Sequence, residues 1–261
     1  MNRIKKHFNS NPTCKLLIPF FTAGFPNWKT SLELISMAVD CGADFIEIGI
    51  PFSDPLADGP EIQYSSFVAL KNGTSLRKIL SGVETLRRNI KVPLILMGYY
   101  NPLLTYGESE FMTDAKNAGV DGLIVPDLSI DETVRYKKLA DQNDISTVFL
   151  VAPTSTKERI KKIEKLSSDF VYAVTVTGVT GGGKVFDKQT DNYLKDLRKT
   201  LKKKFVAGFG VSSADTARRL VKHSDGIVIG SKLVSLIRES KNGKAATKAV
   251  AKLLTQIRKA I

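Results

Sequence analysis

Cysteine is scarce in this sequence: Cys14 and Cys41 are the only two in 261 residues. Two thiols exclude a disulfide framework, and their spacing matches neither a metal motif nor a redox pair. They point to a reducing compartment and to small buried thiols. The chain also lacks any apolar run near the roughly 20 residues of a membrane-spanning helix. Residues 16–25 follow Lys5 and Lys6 much as a secretion signal would, but Pro19 and Gly24 interrupt them and no small-residue cleavage pattern follows. That segment therefore reads as a first strand, and the cytoplasm is the expected location. Acidic residues are in short supply, 26 against 39 Lys and Arg, so the net charge is +13. Such an excess raises nucleic acid as a partner. The basic residues, however, are spread over many segments, and the densest run, 198–204 (RKTLKKK), alternates with Leu201 as on a helix face. A solvated, Lys-rich surface is the expected reading, with no nucleic-acid or membrane partner, and its charge can attract an anionic substrate.

What is present is a regular alternation. Apolar residues make up 43% and charged residues 25%, a balance with ample core and little room for disorder. A short basic helix is predicted near residues 3–8. Strand-like runs then recur at 16–22, 45–49, 94–98, 122–125, 145–151, 170–176, 205–208 and 226–230, with helical spacing between them. Ser129 with Glu132, Ser155 with Glu158 and Ser212 with Asp215 have capping-box spacing and mark helix starts. Eight alternations without a linker predict one α/β domain over residues 1–261, a single (β/α)8 TIM barrel with a short N-terminal helix. The two longest connections follow the second and sixth strands. Barrel sites are built from the loops after the strands, and long loops carry function disproportionately.

The first long connection follows an unusual strand. In FIEIGIPFSDPLADGP, residues 45–60, Glu47 sits among Phe45, Ile46, Ile48 and Ile50, while Asp58 lies in a loop stiffened by Pro51, Pro55 and Pro60. Burial disfavours the charged form of Glu47, so it can exchange protons near neutrality, whereas Asp58 in a more polar loop stays ionised. The competing reading is a structural carboxylate paired with Arg or Lys. In the second connection, 177–189 (TGVTGGGKVFDKQ), Gly178, Gly181, Gly182 and Gly183 beside Lys184 suggest a flexible segment able to close over an anion. A third feature is split: Gly208, Phe209 and Gly210 follow strand seven, and Gly230 with Ser231 follow strand eight. Small residues there let backbone N–H groups and a helix N-terminus face a phosphate.

The 45–60 string resembles the signature of the tryptophan synthase alpha subunit family, lyases that split indole-3-glycerol phosphate. The likeness runs from about Leu16 to Ile237. It implies that Glu47 and Asp58 are the two catalytic acids, and that Thr180 bonds to Asp58 when a lid carrying the phosphate-binding Gly181 closes. It also implies a phosphate cradle at Gly210, Gly230 and Ser231, and substrate contacts from Phe20, Thr22, Tyr99, Tyr172, Thr180 and Phe209. The Asn101–Pro102 turn resembles the family's surface for a partner beta subunit, in an expected alpha2beta2 tetramer. No metal, Schiff base or cofactor is implied for this chain, pyridoxal phosphate being expected only in the beta subunit. Val176 and the glycine-rich 182–187 segment depart from the usual pattern. A lyase that releases free indole, another phosphate-binding barrel and a silent barrel that activates a partner remain the alternatives.

Overall fold

In a computed structural model, residues 2–175, 188–208 and 210–261 are described. The chain begins with α1 (Arg3–Ser10), β1 (Leu16–Thr22), α2 (Trp28–Asp40), β2 (Ile46–Gly49), α3 (Pro60–Lys71), α4 (Leu76–Arg87) and β3 (Leu94–Met97). It continues through α5 (Tyr100–Tyr106), α6 (Glu108–Ala118), β4 (Gly122–Ile124), α7 (Thr133–Gln142), β5 (Ser146–Val148), β6 (Leu150–Val151) and α8 (Lys157–Leu166). The last part holds β7 (Phe170–Val174), α9 (Lys188–Thr200), β8 (Lys204–Gly208), α10 (Ala214–Val221), β9 (Gly226–Ile229), α11 (Ser231–Glu239) and α12 (Gly243–Arg258).

All strand pairs are parallel, in the order β5-β4-β3-β2-β1-β9-β8-β7-β6. The fifth predicted strand, 145–151, is interrupted at Phe149. Its N–H donates to Ser167 Oγ at 3.2 Å while its carbonyl accepts from Tyr172 N at 3.1 Å. The chain thereby leaves β4 and joins β7, which brings the two sheet edges together as a barrel. Helices surround the sheet, so the strands are covered on both faces and read as continuous apolar runs.

Several sequence expectations shift on inspection. The helix predicted at 3–8 runs to Ser10 and is capped by Asn2, whose side chain accepts from Ile4 N. Two helix starts lie one residue beyond the predicted serines: Thr156 caps α8 and Ser213 caps α10, each accepting from the N–H three residues on. Ser129 instead begins a turn ahead of α7, accepting from Asp131 N. Asn101 and Pro102 are not an open turn but part of the first turn of α5, where a proline's missing N–H is no loss. Nor is 198–204 one helix face, because α9 stops at Thr200 and β8 starts at Lys204. Lys203 and Lys204 there donate to main-chain carbonyls. Cys14 and Cys41 are half-buried rather than fully buried.

The N-terminal end of the barrel is closed by α1 and by a repeated device. Phe8 meets Phe45 and Phe170 edge-on at 5.7 and 6.0 Å between ring centres, and Ile4 is fully buried. Asp44, Asp121 and Asp225 each precede a strand, and each accepts the N–H of a neighbouring strand residue: Leu17 at 2.7 Å, Leu94 at 2.9 Å and Phe205 at 2.9 Å. Each also pairs with a helix arginine, namely Arg258, Arg87 and Arg198. The Arg87–Asp121 pair is the most buried, with 9% and 3% of the side chains exposed. Removing one partner of such a pair strands a charge in the interior. Asp121→Ala is accordingly expected to lower stability by about 3–5 kcal/mol, read from urea unfolding. A loss under about 1 kcal/mol, the range of exposed ion pairs, would show that the pair is as good as solvated.

Candidate active site

The opposite, C-terminal end of the strands opens into a cavity. Its lining includes Glu47, Asp58, Phe20, Tyr172, Gly210 and Ser231, so β1, β2, β7, the loop after β2 and the starts of the last two connections converge there. Gly230 lies beside Ser231. Glu47 pairs in register with Phe20 on one side and Ile95 on the other. Strand alternation sends Ile46 and Ile48 to the face opposite Glu47.

Glu47 is 1% exposed, and neither carboxyl oxygen has a hydrogen-bond partner among the described residues. A structural carboxylate would have its lysine or arginine at hand; this one has none among them. Burial, and secondarily the charge of Asp58, push it from its ordinary 4.5 up to about 8. Asp58 stands two residues before α3, whose first residue is Pro60. It too is pushed up, to about 6, by burial, while a hydrogen bond from Tyr99 acts in the other direction. The loop is thus less polar than its sequence suggests, yet Asp58 remains the stronger acid. At neutral pH the site holds a protonated Glu47 beside an ionised Asp58.

The aromatic residues position these groups. Tyr99 Oη accepts from Ala57 N at 2.9 Å and donates to Asp58 Oδ2 at 3.2 Å, which ties the loop to the second residue after β3. Phe52 stacks on the Tyr99 ring with centres 5.1 Å apart. Tyr172, buried on β7, has its hydroxyl pushed well above the ordinary range by burial and by the two carboxyl groups, so it is neutral. Its Oη crosses onto Gly208, where any Cβ would lie 2.1 Å away; only glycine fits. Gly210 has φ +86°, the left-handed conformation that glycine adopts freely. This is the physical content of the two glycines in the Gly208–Phe209–Gly210 string.

Thr22 and Tyr99 belong to an adjoining small cavity that they share with Asp58, Phe20 and Ile62. Since Ser65 Oγ donates to Ile62 O at 2.9 Å, Thr22 is the donor in its 2.6 Å bond to Ser65 and ties β1 to α3. Gly230 precedes α11, and Ser231 is that helix's first residue, so the N-terminus of α11 lies at the cavity. Thr180, Gly181 and Phe209 lie outside the described residues, as does the rest of the segment 176–187. Ile62, Met97, Val211 and Val228 also line the main cavity. Nothing polar marks them in the sequence: Met97 and Val228 lie at or next to strand ends, Val211 follows β8, and Ile62 lies in the first turn of α3.

The family profile of the tryptophan synthase alpha chain matches residues 8–261. Similar proteins include the tryptophan synthase alpha chain of Petrotoga mobilis, 40% identical over 259 residues, which are 99% of this chain and 97% of that one. Another is that of Caldanaerobacter subterraneus subsp. tengcongensis, 41% identical over 263 residues and the full length of both. Among solved structures, the alpha subunit of Legionella pneumophila matches with a TM-score of 0.93 at 30% identity, over 100% of this chain and 98% of that chain. A chain from the tryptophan synthase α2β2 complex of Pyrococcus furiosus matches with a TM-score of 0.86 at 38% identity, over 93% and 97%.

The proton on Glu47 is visible in stability. Its folded-state affinity for a proton is raised, so its contribution is complete below 4.5 and is lost as pH rises through about 8. Glu47→Gln stays neutral throughout and escapes that loss. The stability of the unaltered chain relative to Glu47→Gln is therefore expected to fall across this window, by at most about 1.4 kcal/mol per pH unit. Urea unfolding of both proteins over the range measures it, and parallel curves would show that folding leaves the carboxyl's proton affinity unchanged.

Proposed function

This chain belongs to the tryptophan synthase alpha chain family, whose reaction is the cleavage of indole-3-glycerol phosphate to indole and glyceraldehyde 3-phosphate, and we propose that Glu47 and Asp58 carry that reaction here. The observation behind the proposal is a protonated Glu47, without a hydrogen-bond partner among the described residues, facing the same cavity as an ionised Asp58.

Indole is a poor leaving group until its C3 carbon gains a proton. Glu47, protonated at neutral pH, donates that proton, and positive charge develops on the ring nitrogen. Asp58 accepts the ring N–H bond and stabilises the charge, which is complete once C3 is protonated and is discharged as the C–C bond breaks. The Glu47 carboxylate then takes the proton of the glycerol hydroxyl next to the scissile bond. As that O–H bond becomes a carbonyl, the C–C bond pair moves into the ring, indole leaves and Glu47 is again protonated. The protons balance without a cofactor of this chain's own.

Gly210, Gly230 and Ser231 hold the phosphate, with Gly181 added from beyond the described residues, and fix the scissile bond against Glu47. Phe20 and Tyr172 flank the ring. Tyr99 and Thr22 act at one remove, through Asp58 and α3. Thr180 is assigned the closing bond to Asp58, and Phe209 a substrate contact.

The partner is a beta subunit in an α2β2 assembly, to which indole passes for tryptophan synthesis. Leu56, Phe67 and Leu104 are 88%, 64% and 47% exposed on the loop bearing Asp58, on α3 and on α5. Phe52, Asn101 and Pro102 line a groove of about 560 Å³ between them. Docking there would bear directly on the loop that carries Asp58. The chain works in the cytoplasm.

Glu47→Gln preserves shape and removes the transferable proton. It is expected to lower kcat for cleavage at least about 100-fold while the substrate dissociation constant stays unchanged. Stopped-flow and equilibrium binding read the two quantities. A variant keeping more than about a tenth of the rate would remove Glu47 from this role.

A further inference from the structure

A second polar cluster, half-buried, lies at the other end of the barrel. His7 in the last turn of α1, Cys14 in the link to β1 and Asp44 ahead of β2 bring one ligand atom each within 4.8 Å of one another. Cys14 Sγ is 3.6 Å and His7 Nε2 3.9 Å from the same oxygen, Asp44 Oδ1. Tetrahedral ligands about 2.0 to 2.3 Å from a zinc ion stand about 3.3 to 3.8 Å apart. Thiolate, imidazole and carboxylate are also the donors that this ion selects.

Two observations separate the cluster from an ordinary hydrogen-bonded trio. His7 Nε2 is buried without a hydrogen-bond partner among the described residues. The comparison with the other two strand-start aspartates is the stronger one. Each of the three gives Oδ2 to a strand N–H and to an arginine. The other oxygen, Oδ1, faces a cation twice: Arg3 at 3.0 Å from Asp121 and Lys204 at 3.7 Å from Asp225. At Asp44 it faces His7 and Cys14. A cationic side chain is replaced there by two neutral ligands, arranged around the place the cation would take.

We propose that His7, Cys14 and Asp44 bind a zinc-class divalent cation that clips α1 and its link to the foot of β2, with water as the fourth ligand. The arginine and strand N–H on Asp44 Oδ2 orient the carboxylate, as outer partners do in built metal sites. The Cys14 thiol must release its proton to bind, and burial and Asp44 hold it above its ordinary range. The separations of the three residues along the chain follow no ligand motif, so only the fold assembles them. The site is remote from the cavity of Glu47 and serves stability.

The test uses the full-length, untagged chain, stripped with a chelator and titrated with Zn²⁺ against a chromophoric competitor. One Zn²⁺ per chain is expected, with affinity reduced at least about tenfold in Cys14→Ser and in His7→Gln, and unchanged in Cys41→Ser. Zinc is expected to raise the Tm of the unaltered protein and not that of Cys14→Ser. X-ray absorption of the unaltered zinc-loaded protein gives a second reading that needs no variant: one sulfur near 2.3 Å with nitrogen and oxygen near 2.0 Å. Equal binding by the unaltered protein and both variants, no stoichiometric binding, or a zinc spectrum without sulfur would each overturn the proposal and leave the trio bridged by water.

Discussion

Everything in this molecule is arranged around a carboxyl group that has been taken out of water and left without a hydrogen-bond partner among the described residues. A buried hydroxyl or amide in that state already costs about 1–3 kcal/mol, and an ionised acid far more. Glu47 escapes the larger penalty by holding its proton. That escape depends on the barrel: β1 and β3 flank the residue, and Tyr172 adds a neutral aromatic wall. A looser interior would admit water and return Glu47 to an ordinary acid. The proton affinity proposed to drive the chemistry is thus a property of packing.

The two ends of the barrel divide the work. At the N-terminal end, two carboxylates are well supplied with partners: Asp121 accepts from Arg87, Arg3 and the N–H of Leu94, and Asp225 from Arg198 and the N–H of Phe205. At the C-terminal end the carboxyl groups are kept short of partners, Glu47 with none among the described residues and Asp58 with Tyr99. The first end repays part of what the second withholds. Both use the same residue types, and the difference lies in which helix residues reach them.

Much of this was legible in the sequence, for identifiable reasons. The first strand was read residue for residue, because a strand buried on both faces is apolar throughout. Glu47 and Asp58 stood out because a carboxylate interrupts such a run and prolines hold the loop after it. What escaped was set by tertiary contacts. The break at Phe149 depends on Ser167, and the helix starts at Thr156 and Ser213 sit beside other hydroxyl residues, so spacing alone picked the wrong member of each pair. Thr22 bonding to Ser65, and the three aspartates at the strand starts, join residues far apart in the chain. No local pattern announces them.

The most direct measurement of the central claim, that Glu47 gives a proton while Asp58 holds charge, is the pH dependence of kcat/KM for cleavage of indole-3-glycerol phosphate. The two groups predict a bell that rises as Asp58 ionises near about 6 and falls as Glu47 loses its proton near about 8. Because the Tyr99 hydrogen bond lowers the Asp58 value, Tyr99→Phe should carry the acid limb to higher pH and leave the alkaline limb in place. A profile flat through both values, or an acid limb unmoved in Tyr99→Phe, would contradict the account.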